Sequence, residues 1–431
     1  MRFLLDGMYL LAGVAVSPIV LYRVIRHGRY RAGWGQRFGM VDRRDPWKPC
    51  IWLHAVSVGE VNAAQTLIAE MEKQFDDFEI VVSTTTDTGY ARAEKLFAHK
   101  WKVFYFPFDL SRVMRKVFQR LNPSLCLLME LEVWPNFVFT ARERNVPVVV
   151  INGRISDKSF AQYRRIKRLT RTFFGKIDLV LAQTEEYALR FRTLGCPTEQ
   201  VIVTNSLKYD TAQTADRVEG AEALAEQLGL SGAELWVAGG TGNEEEKIIL
   251  DAYKSLVQDG RFADLRLAVV PRKPERFNEV AQCIEQMGLP LVRYSRLKGT
   301  ANKATSNDKA VILGDTMGDL RKFYSLAGII FVGRSLVPMG GSDMMEAAAL
   351  GKCTIFGPHA FNFRQAVDAL LEGGGAIQVN DGGDLLGTMK KCLSEPAYAK
   401  RIAQAGRAII KQNQGATART MNALREILNS Q

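Results

Sequence analysis

Two doubly wound α/β domains facing a cleft are what this sequence predicts, and three observations predict them. Short apolar runs recur along the chain, each leading into a glycine-rich or polar turn, with helix-like segments between them. The alternation comes in two series, from Cys50 to about Thr204 and from Leu235 onward, separated by the Ala-, Glu- and Gln-rich segment Asp210 to Gly229. The chain has 431 residues, enough for two or three domains each with a full core. Repeated strand, loop, helix units build parallel sheets covered on both faces, and such sheets gather ligands at the carboxyl ends of their strands.

Hydrophobic residues at 47% and charged residues at 24% describe a globular chain. A net charge of +11 implies an anionic partner, which charge alone leaves open among nucleic acid, an acidic membrane surface and a phosphorylated substrate. Six scattered cysteines (Cys50, Cys126, Cys196, Cys283, Cys353, Cys392) form no CxxC pair, and only four histidines occur, so neither a zinc site nor a disulfide framework is indicated. No Asp-x-Asp triplet is present, which removes a common grip of nucleotide-sugar enzymes on a metal diphosphate.

Taken in order, the chain opens with an uncharged run, Gly7 to Tyr22, followed by Arg23, Arg26, Arg29 and Arg31. Phe3 to Ile25 reaches spanning length with Asp6 at the interface, and no small-residue cleavage site follows it. The prediction is a membrane anchor over 1–28, with the remaining chain in the cytoplasm against anionic lipid head groups. The first domain, 29–209, carries strand candidates at Ile51 to His54, Ile80 to Ser83, Val103 to Phe106, Leu125 to Leu128, Val146 to Ile151, Leu179 to Ala182 and Val201 to Val203. A linker with a helix follows over 210–230. The second domain, 231–400, carries Leu235 to Ala238, Leu267 to Val270, Val311 to Leu313, Ile329 to Val332 and Cys353 to Phe356. The final segment, 401–431, is helical and is expected to pack back across both domains.

Several strand ends carry residues that can do chemistry. His54-Ala55-Val56-Ser57-Val58-Gly59-Glu60 leaves the first strand and opens a helix, where Glu60 either takes a proton from a hydroxyl nucleophile or merely complements the helix dipole. Another strand ends in Glu130 and Glu132 beside Trp134-Pro135, acids that are costly at such a place unless satisfied. Asn205 to Asp210 brings Lys208 near the domain junction, and Val270 to Phe277 ends a strand in Arg272 and Lys273, cations that suit a phosphate or remain solvated. In Gly340-Gly341-Ser342-Asp343-Met344-Met345-Glu346 two glycines permit close approach, Ser342 or Asp343 can cap the next helix, and Glu346 can accept from sugar hydroxyls; an ordinary capped helix has the same spacing. Arg154, Lys158, Arg164, Arg165, Lys167, Arg168, Arg171 and Lys176, interleaved with Tyr163, Phe173 and Phe174, either grip phosphates or form a solvated face.

In sequence order RYRAGWGQRFG, HAVSVGE, STTTDTG, ELEVWPN, NGRIS, NSLKYD, VPRKPERF, LGDTMGDL, FVGRSLV, GGSDMMEAAA and FGPHAFNF cover nearly the whole chain. Together they resemble the 3-deoxy-D-manno-octulosonic acid (Kdo) transferases of Gram-negative lipopolysaccharide synthesis. The resemblance implies a GT-B fold on the cytoplasmic face of the inner membrane, CMP-Kdo as donor and a lipid A precursor, lipid IVA, as acceptor. It also implies inversion by direct displacement, with no metal, no cofactor, no nucleic acid and no obligate protein partner. By position it implies Glu60 as general base, and Glu130 and Lys208 as stabilisers of the transition state. Pro271, Arg272, Met317, Gly318, Asp319, Asp343, Met344, Met345 and Glu346 then hold CMP, with Glu132, Gly340, Gly341, Ser342 and Asn362 in support. The family usually has histidine where this chain has Gly242, Lys273 and Ser342, and asparagine where it has Asp343. These departures cluster in the donor half and bear on donor choice. A transferase using another nucleotide sugar, an epimerase of the same architecture and a membrane-tethered binder of anionic lipid or nucleic acid are the alternatives; the binder has no use for Glu60, Glu130 and Glu132 together.

Overall fold

In the computed structural model, which describes residues 2–27, 32–230, 232–300, 303–304 and 310–429, the chain divides into two compact units. The first is Met1–Thr211 with Gln414–Gln431, the second Ala212–Asn413. The first holds β1 (Cys50–His54), β2 (Glu79–Thr84), β3 (Lys102–Tyr105), β4 (Pro123–Met129), β5 (Val148–Gly153), β6 (Leu179–Ala182) and β7 (Val201–Val203). Every pairing is parallel and the order is β3-β2-β1-β4-β5-β6-β7. The second holds β8 (Leu235–Thr241), β9 (Arg266–Pro271), β10 (Leu291–Arg293), β11 (Val311–Leu313), β12 (Ile329–Val332), β13 (Cys353–Phe356) and β14 (Ile377–Gln378), also parallel, in the order β10-β11-β9-β8-β12-β13-β14.

Central strands read as unbroken apolar runs because helices cover both faces: β1, β8 and β9 are buried at every position. Trp52 of β1 anchors one face, its ring 4.8 Å from Phe137 and 5.4 Å from Phe118. Truncating such a residue to alanine costs about 3–5 kcal/mol. All twelve strands expected from the apolar runs are present, while β10 and β14 carry too little pattern to be seen. Both lie at sheet edges, and one is half-buried while the other has two residues.

The strand order reverses between β1 and β4 in the first sheet and between β8 and β12 in the second. At these points the crossovers leave in opposite directions, and the loops beyond the strand ends open a crevice.

The amino-terminal expectation is corrected. Arg2–His27 is one helix with Pro18 inside it, but among the described residues no helix is long and apolar enough to cross a membrane. Its first turns are tied to protein. Asp6 accepts from Ser111 N and Asn136 Nδ2, both at 3.0 Å, Tyr9 donates to Asp109, and Arg2 pairs with Glu143. Of the basic run, Arg29 and Arg31 lie outside the described residues.

Ala212 onward, read as linker, belongs to the second unit, where the helix Ala221–Gln227 packs on the helix Leu320–Leu326. The terminal segment is two helices: Pro396–Asn413 in the second unit and Ala416–Asn429 in the first. Asp210 caps the latter, accepting from Gly415 N at 2.7 Å and Thr417 N at 2.5 Å.

Candidate active site

Glu60 is built by a capping box. Ser57, extended at φ −116°, caps the helix Val58–Gln74 and accepts from Glu60 N. The Glu60 carboxylate reaches back to accept from Ser57 Oγ at 2.8 Å and Val56 N at 2.9 Å. These bonds hold the side chain over the end of β1, at the switch point. Burial, and next the charge of Glu130, push the Glu60 carboxyl up to about 7; Glu132 adds to the rise, and the Val56 and Ser57 bonds oppose it. A carboxylate poised near neutrality is what a general base requires.

Glu130 follows β4 with φ +53°, a left-handed conformation unusual for glutamate, and its N–H donates to Ile151 O at 3.0 Å. Strain of this kind persists only where the surroundings fix it. Lys208 Nζ lies 3.9 Å from Glu130 Oε1. The lysine sits in the short helix Leu207–Thr211, whose start is set by Asn152, itself left-handed at φ +53° and buried, with Oδ1 accepting from Leu207 N at 3.0 Å. Glu132 receives the Trp134 indole N–H at 3.0 Å and faces the wholly buried His54. The first unit therefore brings Glu60, Glu130, Glu132 and Lys208 into one cluster at the β1/β4 switch point.

In the second unit the switch point lies at β8 and β12. The loop after β12 folds over the end of β8: Gly341 N donates to Arg334 O at 2.8 Å, Ser342 N to Gly333 O at 2.9 Å, and Ser342 Oγ to Gly240 O at 2.8 Å. Gly340 and Gly341 are left-handed, at φ +91° and +81°, and a Cβ on Gly340 would fall 2.1 Å from Asn362 Nδ2, so both positions require glycine. Asp343 caps the six-residue helix Met344–Ala349 by accepting from Met345 N at 2.9 Å. Met344 and Met345 are buried. Glu346 has its carboxyl raised by burial and by Asp343, against Arg321 and Arg272. Pro271 ends β9 opposite Thr241, and Arg272 N donates to Thr241 O at 3.1 Å.

Exposed Met317 and left-handed Gly318 precede Asp319, whose carboxylate is already engaged. It accepts from Lys298 Nζ at 2.5 Å, Thr316 Oγ1 at 2.6 Å and Lys322 Nζ at 2.9 Å. Burial alone would raise this acid, but the three donors outweigh it and hold it at about 2.

Sequence reasoning missed Glu245. Its fully buried carboxylate accepts from Gly242 N at 3.0 Å, Ser335 N at 2.6 Å, Leu336 N at 2.8 Å and Arg334 N, pinning the β8 and β12 loops together. An acid three residues after a glycine turn is the available signal. The basic stretch after Arg154 resolves into two short helices whose Phe173 and Phe174 are core, while Arg164, Arg165, Arg168 and Arg171 are solvated. Among the described residues no group of three His, Cys, Asp or Glu side chains is placed to hold a metal ion.

Two doubly wound parallel units, each with loops gathered at its own switch point, define a fold of the GT-B type. Solved structures of that architecture are similar to this chain: UDP-GlcNAc 2-epimerase from Neisseria meningitidis, TM-score 0.56 at 14% identity over 88% of this chain and 100% of that one. A UDP-N-acetylglucosamine 2-epimerase from Listeria monocytogenes gives TM-score 0.57 at 12% identity over 89% and 98%. At such identities the likeness concerns the fold alone. The family model for 3-deoxy-D-manno-octulosonic-acid transferase matches residues 32–211. The 3-deoxy-D-manno-octulosonic acid transferase of Haemophilus influenzae is 32% identical over 99% of both chains, and that of Bordetella pertussis 32% identical over 98% of this chain and 99% of its own. The chain belongs to the 3-deoxy-D-manno-octulosonic acid transferase family.

Proposed function

We propose that this enzyme moves Kdo from CMP-Kdo to a lipid A precursor, lipid IVA, with inversion at the anomeric carbon and Glu60 as general base. The observation that carries the reading is Glu60 itself, held by a capping box at the β1/β4 switch point with its carboxyl lifted to about 7. Glu60 accepts the proton of the acceptor's sugar hydroxyl as that oxygen attacks and CMP departs with the bonding electrons. Lys208 and Glu130 order the charge around the developing transition state. Pro271, Arg272, the backbone of Met317 to Asp319, and Asp343 to Glu346 hold the nucleotide. Neither a metal nor a cofactor takes part in the proposed step.

Membrane association belongs to the same reading. On the amino-terminal helix Met8, Leu10, Leu11, Val14 and Val16 are exposed, between 48% and 74% of their surfaces open, an apolar stretch suited to the membrane that carries the acceptor. The acid Asp343, in place of the family's asparagine at a helix that would face an anionic donor, favours a second reading in which another nucleotide sugar is used.

The test is transfer from CMP-Kdo to tetra-acylated lipid A precursor with chelator present, comparing the native chain with Glu60→Gln. Product that survives chelation and is lost in the variant supports the reading, and counting the sugars added tells how far transfer proceeds. No product from folded, membrane-reconstituted protein would sink CMP-Kdo as donor and send the search to other nucleotide sugars.

A further inference from the structure

His54 ends β1 with no exposed surface, and the mechanism above does not use it. Its ring stacks on Phe106, centroids 3.8 Å apart at 21°, so its two nitrogens point in fixed directions. Nδ1 lies 3.0 Å from Ser83 Oγ and 3.1 Å from Ser83 O. Nε2 is buried without a hydrogen-bond partner and lies 3.7 Å from Glu132 Oε2.

The neighbours decide where the ring hydrogen sits. Ser83 Oγ accepts the Trp52 indole N–H at 2.8 Å, so its own hydrogen is free to go to His54 Nδ1. Ser83 O already accepts Ala55 N at 3.0 Å. Were the hydrogen on Nδ1 alone, the buried Nε2 lone pair would face a carboxylate oxygen, two acceptors opposed. A hydrogen on Nε2 removes the conflict and turns the short gap into an attraction.

We propose that His54 carries its hydrogen on Nε2 and holds Glu132 through it, making His54 the positioning residue of the carboxylate cluster. The donors run from the Trp52 indole to Ser83 and from Ser83 to His54, whose Nε2 faces Glu132 Oε2 across 3.7 Å, the same oxygen that accepts the Trp134 indole N–H. Glu132 is two residues from the strained Glu130 backbone, so fixing it fixes the turn that sets Glu130 against Lys208. Other charged and titratable groups near Glu132 are Glu60 and, from the helix Asp157–Arg165, Tyr163.

The catalytic use of this pairing rests on the transferase reading, and the pairing itself is read without activity. With four histidines in the chain, heavy-nitrogen labelling of histidine alone resolves the rings in the intact protein. The buried ring is expected to show a bare Nδ1 and a slowly exchanging hydrogen on Nε2. Glu132→Gln is expected to move that Nε2 signal and leave the other rings unchanged. His54→Gln, which can place an amide N–H where Nε2 stood, keeps kcat within about threefold, whereas His54→Asn lowers kcat about tenfold or more with a smaller change in KM. A hydrogen on Nδ1 alone, an unmoved signal in Glu132→Gln, or a folded His54→Asn enzyme with native kcat overturns the proposal. Should His54→Asn not fold, the ring spectra of the native chain decide. A coupled His54–Glu132 pair in protein without Kdo transfer supports the pairing and sinks CMP-Kdo as donor.

Discussion

Exchanging Glu60 for glutamine is predicted to have opposite effects on stability and on activity, and the size of the first follows from the site. The native carboxyl titrates at about 7 because burial and the Glu130 charge disfavour its ionised form, whereas in the unfolded chain it titrates near the ordinary 4.5. Between those values the folded chain binds more protons than the unfolded one, so the native contribution is full below the unfolded value and is lost as pH rises through the folded value. From pH 5 to pH 8 the linkage integrates to about 2.5 kcal/mol of lost stability. Glutamine does not titrate and escapes that loss, but it keeps only one of the two acceptors now used by Val56 N and Ser57 Oγ. The variant should therefore be no more stable than the native chain at pH 5 and should gain on it by about 2.5 kcal/mol at pH 8, roughly 5–10 °C in the melting of a unit this size. Thermal scans at the two pH values measure the difference, and a transfer assay on the same samples should show a loss of about a hundredfold or more. A variant whose stability tracks the native chain equally at both pH values would refute the buried, repelled carboxylate.

Further outcomes follow from other contacts. The native enzyme's kcat/KM should rise through an apparent pKa near 7, and a profile flat from pH 6 to 8 would exclude Glu60 as base. Lys208→Met should lower kcat by about a hundredfold while leaving donor KM within a few-fold, since the ammonium is proposed to act on developing charge. Glu245→Gln puts an amide where four backbone N–H groups need an acceptor, and should lower second-unit stability by about 2–4 kcal/mol in urea unfolding. Asp109→Ala removes the acceptor shared by Asn136 N, Phe137 N and Tyr9, so limited proteolysis should cut Arg2–His27 sooner than in the native chain. Leu11→Asp with Val14→Asp should reduce flotation with anionic vesicles if the exposed face meets the membrane, and unchanged flotation would remove that role.

By itself the sequence determined the fold class and most of the strands, because a strand buried on both faces must be apolar along its length. The runs around Trp52, Leu127, Val237 and Phe331 could therefore be read without a structure. That Glu60 lies in the first turn of a helix was legible for a similar reason, since a helix start is a local feature whose bonds close within four residues. What the tertiary structure alone decided depends on partners far apart in sequence. The amino-terminal run reads as a membrane span until Ser111 and Asn136 are found donating to Asp6. That the Asp319 carboxylate pairs with Lys298 is likewise invisible until the two segments meet. His54 reads as an ordinary strand residue until Ser83 and Glu132 take opposite sides of its ring. Burial and side-chain pairing set charge, tautomer and strain, and both are created only when distant segments pack.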